Sequence, residues 1–342
     1  MARVFVGMSG GVDSSLTAAL LVEQGHDVTG VYMKNWTQDL PGMQCPWAED
    51  LADAKRVAVQ LGIPFKVYDF QAEYKHKVVD YMIEEYKAGR TPNPDIMCNQ
   101  EVKFKIFLET ALEDGAEFIA TGHYAKTSEE KLYRAVDQNK DQTYFLYRVD
   151  GAALEKTLFP LGRYEKSEVR RMAEERGLLT ATRKESMGIC FVGSVGIKEF
   201  LSEFVETTPG KIIDRDSNEI VGNHEGAIFY TLGQRHGLNL GGGLPYYVVG
   251  KDMAKNEVYV SRNLNDEAMW RRELPLGNMH WINDAPHEDD ELQVRLRHRG
   301  ALLPAKLSDN TLFLEQPERA AASGQSAVIY RGEEVLGGGI IA

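Results

Sequence analysis

Cysteine is scarce in this chain: its 342 residues hold three. They are Cys45, Cys98 and Cys190. Three scattered thiols do not make the disulfide framework of a secreted protein. No Cys-x-x-Cys pair is present, and the histidines lie far from the cysteines, so the spacing gives a metal site little support. Long apolar runs are missing too. None approaches the roughly 20 residues of a membrane span. The N-terminus has no signal-peptide pattern and reads as a strand. These absences predict a reducing, cytoplasmic setting away from membranes. Positive charge is in deficit, with 39 Lys and Arg against 51 Asp and Glu, a net charge of −12. That argues against nonspecific nucleic-acid binding, though it leaves room for a local basic surface.

What is present is a glycine-rich turn. Ser9-Gly10-Gly11-Val12-Asp13-Ser14-Ser15 lies between an apolar run, Val4-Phe5-Val6, and a helical pattern over residues 16–24. Strand, glycine loop, helix is an arrangement that cradles phosphate, because loop amides and the helix N-terminus both present positive charge. No lysine follows, so this is not Gly-x-x-x-x-Gly-Lys-Ser/Thr; nor is it Gly-x-Gly-x-x-Gly. The plainer alternative is a tight turn in which Asp13 or Ser14 caps a helix.

The first half of the chain alternates strand and helix patterns. Strands are predicted over residues 3–7, 27–32, 65–69 and 118–121, and helices over 49–61, 74–88 and 103–114. A further helix is predicted over 167–176. This order implies an α/β fold with a parallel sheet covered on both faces. Ligands of such sheets bind beyond the carboxyl ends of strands, where the Ser9 loop and Thr121-Gly122-His123 should both lie. From about Pro209 short strands and glycines dominate, and from Leu274 short alternating strands suggest a small β-barrel. The expected domains are 1–203, catalytic; 204–273, small and mixed α/β; and 274–342, a β-barrel.

Two cysteines sit in distinctive surroundings. Cys98 ends Thr91-Pro92-Asn93-Pro94-Asp95-Ile96-Met97-Cys98. The two prolines predict a stiff, extended loop that suits a site. The alternative is a small buried hydrophobe. Cys190 stands between Gly188 and Gly193, a spacing that fits close backbone approach or a buried strand. Cys45 has no such framing and reads as incidental. Near the C-terminus, alternation over residues 292–299 sets Leu292, Val294 and Leu296 on one face. It sets Arg295, Arg297 and Arg299 on the other, a basic stripe suited to phosphate or an ordinary solvated face.

Ser-Gly-Gly-x-Asp-Ser resembles the PP-loop of the N-type ATP pyrophosphatases, the adenine-nucleotide α-hydrolase-like fold. With the two cysteine segments, Lys34-Asn35-Trp36, Ala120-Thr121-Gly122-His123-Tyr124, Lys140-Asp141-Gln142 and Tyr230-Thr231-Leu232-Gly233-Gln234-Arg235, the whole chain is similar to the tRNA-specific 2-thiouridylases, the MnmA/TrmU family. The resemblance implies ATP as a substrate, with magnesium. It implies adenylation of the C2 oxygen of the wobble uridine, U34, in tRNAs for lysine, glutamate and glutamine.

It also implies the site residues. ATP is held by Gly7, Met8, Ser9, Gly10, Gly11, Val12, Asp13, Ser14, Met33 and Gly122. Cys190 carries sulfur as a persulfide from a donor protein, and Cys98 is the nucleophile that closes a Cys98–Cys190 disulfide. The sulfur reaches C2 directly or as hydrosulfide. Asp95 is the acid/base, and Asn93-Pro94-Asp95 meets the target base. His123, Lys140, Asp141, Gln142, Arg297, His298 and Gln325 contact tRNA. The family often has tyrosine where His298 stands, and Pro-Gly-Gln where this chain has Ser323-Gly324-Gln325. No metal ligands are legible, and a monomer is expected. The rivals are another PP-loop adenylating ligase, of the GMP, NAD or argininosuccinate type, and a tRNA-binding or sulfur-trafficking module. A ligase needs neither framed cysteine, and the intact loop argues against a non-catalytic module.

Overall fold

The computed structural model describes residues 1–39, 45–184, 196–241, 243–263, 265–287 and 289–342. Cys190 and Gly188 through Gly193 lie outside the described residues.

Arg3–Gly7 is the central strand of a five-stranded parallel sheet. The order is Phe65–Asp69, Asp27–Lys34, Arg3–Gly7, Phe118–Ala120, Thr157–Leu158. Both faces of the central strand are covered. Val4 and Val6 pack with Val28, Ala54 and Val57, while Phe5 packs with Val31, Phe107 and Ile119. That is why the strand reads as an unbroken apolar run rather than an alternating one. The chain leaves Gly7 toward one neighbour and later returns on the other side as Phe118–Ala120. The loops after Gly7 and after Ala120 therefore flank the crevice where strand order reverses.

Residues 94–113 depart from expectation. The sequence predicts an extended loop through Asn99 and a helix from Lys103. Instead Pro94–Met97, Cys98–Ile106 and Phe107–Glu113 follow one another as a single helical rod, with the middle stretch in the wider π form. Pro94 occupies the first helical position, where a missing N–H costs nothing and a fixed φ is already suitable. The Asn93 side chain caps the start, accepting from the Asp95 amide at 3.1 Å. The second proline thus starts a helix. The π stretch, with its i→i+5 bonding, begins at Cys98.

The middle of the chain forms a four-stranded sheet, in the order Tyr247–Asp252, Glu257–Ser261, Gly210–Asp214, Ile220–His224. The last part closes into a six-stranded antiparallel barrel. Its strand Trp270–Trp281 pairs with both Thr311–Arg319 and Glu334–Ile341. A hairpin from the first half, Lys126–Ser128 and Lys131–Tyr133, adds to that sheet, with Leu132 opposite Val335. No sequence signal marks this junction, since the pairing spans most of the chain. No helix among the described residues is long and apolar enough to cross a membrane.

The arginine stripe does not form. The strand Leu292–Arg295 ends before the alternation can continue, and Arg299 lies in a turn at φ +61°. Arg295 is buried, with its Nη1 donating to Asp141 Oδ2 at 2.9 Å. Its side chain is 6% exposed and that of Asp141 0%. A buried guanidinium is tolerable only with its carboxylate, so Asp141→Asn should cost about 3–5 kcal/mol. Urea denaturation checks this: the midpoint should fall markedly at an unchanged slope.

Candidate active site

The Ser9 loop is held by its own serines. Ser14 Oγ accepts from the Ser9 amide at 3.1 Å and lies 3.1 Å from the Gly11 carbonyl, to which it donates. Ser15 Oγ donates to the same carbonyl at 2.8 Å. The helix Val12–Glu23 has Gly11 at its N-cap, with no side-chain cap. Asp13 and Ser14 therefore do not cap it, which leaves the amide end of the helix open to an anion. Gly10 has φ +74°, and a Cβ there would stand 2.5 Å from the Asp50 carbonyl. Only glycine satisfies both demands. Met8 is 1% exposed and belongs to the core, so only its backbone faces the loop. The terminal methyl of Met33 approaches Gly7.

Asp13 is gripped from across the crevice. Lys166 Nζ donates to its two carboxylate oxygens at 2.7 and 2.8 Å, and the Tyr124 hydroxyl donates at 3.0 Å. Arg183 donates to the Gly10 carbonyl at 2.9 Å and pairs with Asp50 and Asp53. Sequence reading missed Lys166 and Arg183. Each reaches the loop from more than 150 residues away, and no local motif surrounds either one.

Gly122 packs directly against the start of the helix that follows this loop. A Cβ there would meet the Ser14 amide nitrogen at 2.8 Å and the Asp13 carbonyl carbon at 2.9 Å. These are backbone atoms that cannot swing aside, so the strand-end loop must carry glycine where it crosses the helix start. The next residue, His123, is buried, with Nδ1 2.8 Å from Thr121 Oγ1 and its ring against Phe104 and Phe159. Burial holds its pKa well below the usual range, and the Lys103 charge pushes the same way. The imidazole is therefore neutral near pH 7.

Cys98 is 2% exposed, in the same core cluster as Phe104 and Phe159. Asp95 lies one turn before it, at the start of the rod. Burial raises the Asp95 carboxyl above the ordinary range, and Lys103 opposes that rise. Lys103 thus acts electrostatically on both Asp95 and His123. The rod and the loop after Ala120 bring Asp95, Cys98, Lys103 and His123 into one region.

Some of the other expected residues lie on segments that pack against neighbouring parts of the chain. Gln142 Oε1 accepts from the Tyr124 amide at 3.0 Å. Asn99 Nδ2 donates to the Phe145 carbonyl at 2.9 Å, and the Phe145 ring lies 4.6 Å from His298. Burial lowers the His298 pKa, as does the nearby Arg299. Gln325 follows Gly324, whose φ is +90° and whose Cβ position lies 2.6 Å from the Thr91 amide nitrogen. The barrel turn thus seats directly against the segment leading into Asn93 and Asp95. Arg297 is exposed and pairs with Glu318. Asp141 is different: its side chain faces Arg295 and Thr143 inside the protein, where it cannot touch RNA in this structure. Among the described residues no group of three or more His, Cys, Asp or Glu is arranged to hold a metal ion.

Three family models match successive parts of the chain. They are described as a tRNA methyl transferase HUP domain over residues 2–194, a tRNA methyl transferase PRC-barrel domain over 198–262, and an aminomethyltransferase beta-barrel domain over 271–341. A tRNA-specific 2-thiouridylase MnmA of Enterococcus faecalis is 45% identical over 355 residues, covering 99% of this chain and 95% of that one. A tRNA-specific 2-thiouridylase MnmA 2 of Geobacillus kaustophilus is 46% identical over 350 residues, covering 99% and 94%. A solved 4-thiouridine synthetase–RNA complex with bound ATP is a distant likeness, with 17% identity and a TM-score of 0.40 over 59% of this chain and 50% of that one. At 45–46% identity across nearly the full length of both relatives, this chain belongs to the tRNA-specific 2-thiouridylase family.

Proposed function

We propose that this protein replaces the C2 oxygen of the wobble uridine of tRNA with sulfur at the expense of ATP. The observation that carries the reading is Gly122. Its close approach to the backbone of Asp13 and Ser14 seats the loop after Ala120 against the phosphate loop. Lys103 acts electrostatically both on His123 in that loop and on Asp95, one turn before Cys98, which supports reading the ATP loop and the buried thiol as parts of one site.

Chemistry supplies the order of events. Uridine C2 stands between two ring nitrogens and resists direct substitution. Its oxygen attacks the α-phosphorus of ATP, the α–β bond breaks, and pyrophosphate leaves. The loop amides and the open helix end stabilise charge on the phosphates. Lys166, now on Asp13, is placed to follow that charge. Magnesium brought with ATP typically needs one or two carboxylates and phosphate oxygens, and Asp13 is the loop's carboxylate. Sulfur then bonds to C2 and AMP leaves with the oxygen.

In the assignment we favour, Cys190 carries the persulfide and Cys98 thiolate attacks its inner sulfur. The S–S bond of the persulfide breaks, a Cys98–Cys190 disulfide forms, and hydrosulfide departs to C2. An external thiol reductant resets the pair. A persulfide donor protein and a monomeric enzyme complete the proposal. The three units are taken as 1–203, 204–273 and 274–342, with the last boundary drawn back to Trp270 because that strand is continuous. Asn93, Pro94 and Asp95 meet the base; His123, Lys140, Gln142, Arg297, His298 and Gln325 serve the RNA. Methyl transfer, the chemistry in two of the family-model descriptions, has no use for an ATP-splitting loop.

Asp95 gives this reading a pH signature. As acid/base its carboxyl titrates above the ordinary carboxylate range, because burial disfavours the anion. When it acts as base, kcat/KM should climb as pH rises through that displaced value. Lys103→Met removes the charge that opposes the shift, so the limb should move further up. Asp95→Asn should remove the limb. The proposal as a whole is tested by incubating enzyme, ATP, a persulfide donor and undermodified tRNA, followed by nucleoside mass analysis. Expected is 2-thiouridine at U34, strictly dependent on ATP. Pyrophosphate release without thiolated tRNA would sink it.

A further inference from the structure

A cleft of about 460 Å³ opens where the three parts of the chain meet. Its walls include Gly89 and Thr91 from the first part, Lys251 from the second, and Glu267, Arg271 and Ser323 around the barrel. The junction is tied by backbone and hydroxyl contacts. The Thr91 amide donates to the Ser323 carbonyl at 2.9 Å, and the Thr91 and Thr231 hydroxyls lie 3.0 Å apart.

The cations in this cleft are unusual for an acidic protein. Lys251 Nζ donates to the Tyr230 carbonyl at 2.7 Å, and Arg271 Nη1 donates weakly to the Ala342 carbonyl at 3.4 Å. Among the described residues neither has an Asp or Glu side chain within ion-pair distance, in contrast to Lys66, Arg90, Arg176 and Arg331, each of which is paired with one. Lys251 is partly buried, and that burial pushes its amine down to about 8. A partly buried ammonium held by a carbonyl without a carboxylate partner is costly. An oxyanion entering the cleft would relieve that cost and meet the Thr91 hydroxyl and the Arg271 fork. Glu267, which lines the same cleft, is the opposing charge.

We propose that this three-way cleft binds a phosphate group through Lys251 and Arg271. Two sources share that chemistry: a backbone phosphodiester of tRNA, and a free oxyanion such as phosphate or pyrophosphate. The RNA source rests on the thiolation reading, and the cleft's closeness to Thr91, which leads into Asn93 and Asp95, favours it. The free-ion source does not need that reading.

The test uses the full chain, Lys251→Met and Arg271→Gln. Binding of an undermodified tRNA transcript is measured across a salt series, and binding of inorganic phosphate and pyrophosphate by calorimetry. ATP affinity of each variant reports whether the fold is retained, and Arg271→Gln keeps the test alive if Lys251→Met fails to fold. Expected for the RNA source is tRNA binding about three- to ten-fold weaker, with the salt slope smaller by roughly 0.7–0.9 per variant. Loss of inorganic phosphate or pyrophosphate binding, with tRNA binding unchanged, assigns the free ion and still upholds the site. If tRNA affinity, salt slope and anion binding all match the parent in a folded variant, the cleft is not a phosphate site. If the parent itself fails to bind tRNA, the thiolation reading falls while the anion measurement still decides the cleft.

Discussion

Cys98→Ser is expected to reduce 2-thiouridine formation by about three orders of magnitude or more, with ATP and tRNA binding nearly unchanged. Breaking a persulfide requires a sulfur nucleophile that can end in a disulfide. A serine hydroxyl is not appreciably ionised near pH 7 and gives no stable S–O product. The loss should be chemical rather than structural. Cys98 is small and buried, and serine keeps its volume while adding a polar group, a change worth about 1–3 kcal/mol if unsatisfied. Single-turnover assay of persulfide-loaded enzyme separates the two effects. The variant should retain its persulfide and accumulate adenylated tRNA, because activation precedes sulfur transfer. Wild-type rates in Cys98→Ser would remove this cysteine from the sulfur route.

Asp13→Ala is expected to lower ATP-dependent pyrophosphate release by about two to three orders of magnitude, the scale seen when one preorganised electrostatic group is removed. Asp13 is the anchor for Lys166 and Tyr124 at the start of the phosphate helix. Without it Lys166 loses its fixed place and the loop loses its only carboxylate. tRNA affinity should hold, because Asp13 lies on the nucleotide side of Gly122. Pyrophosphate release in the presence of tRNA reads the effect directly. Lys166→Met tests the same pair from the other side, and a loss in the double variant much smaller than the sum of the two single losses would show that they act as one unit.

Much of this arrangement was legible in the residues. The first sheet follows from apolar runs and helix periodicity, and the loop from two adjacent glycines before a helix. The barrel follows from dense short strands, and the cysteine roles came only through the family resemblance. Other parts were not legible, for reasons that are physical. Pro94 reads as a breaker in sequence yet starts a helix, because a first-turn proline loses no hydrogen bond. The π stretch from Cys98 has no compositional mark. Arg295 sits in strand alternation that should face solvent, but the strand ends there and the buried Asp141 captures its guanidinium. Lys166, Arg183 and the hairpin Lys126–Ser128 with Lys131–Tyr133 meet their partners across long stretches of chain. Only tertiary folding reveals such meetings.

The central claim is that ATP activates the base itself, so that AMP carries away the oxygen that sulfur replaces. Transcribed tRNA bearing heavy oxygen at uridine C2, incubated with enzyme, ATP and a persulfide donor, tests it in one measurement. Mass analysis of the released AMP should show one heavy oxygen for each 2-thiouridine formed. Thiolated tRNA accompanied by AMP of ordinary mass would contradict the account.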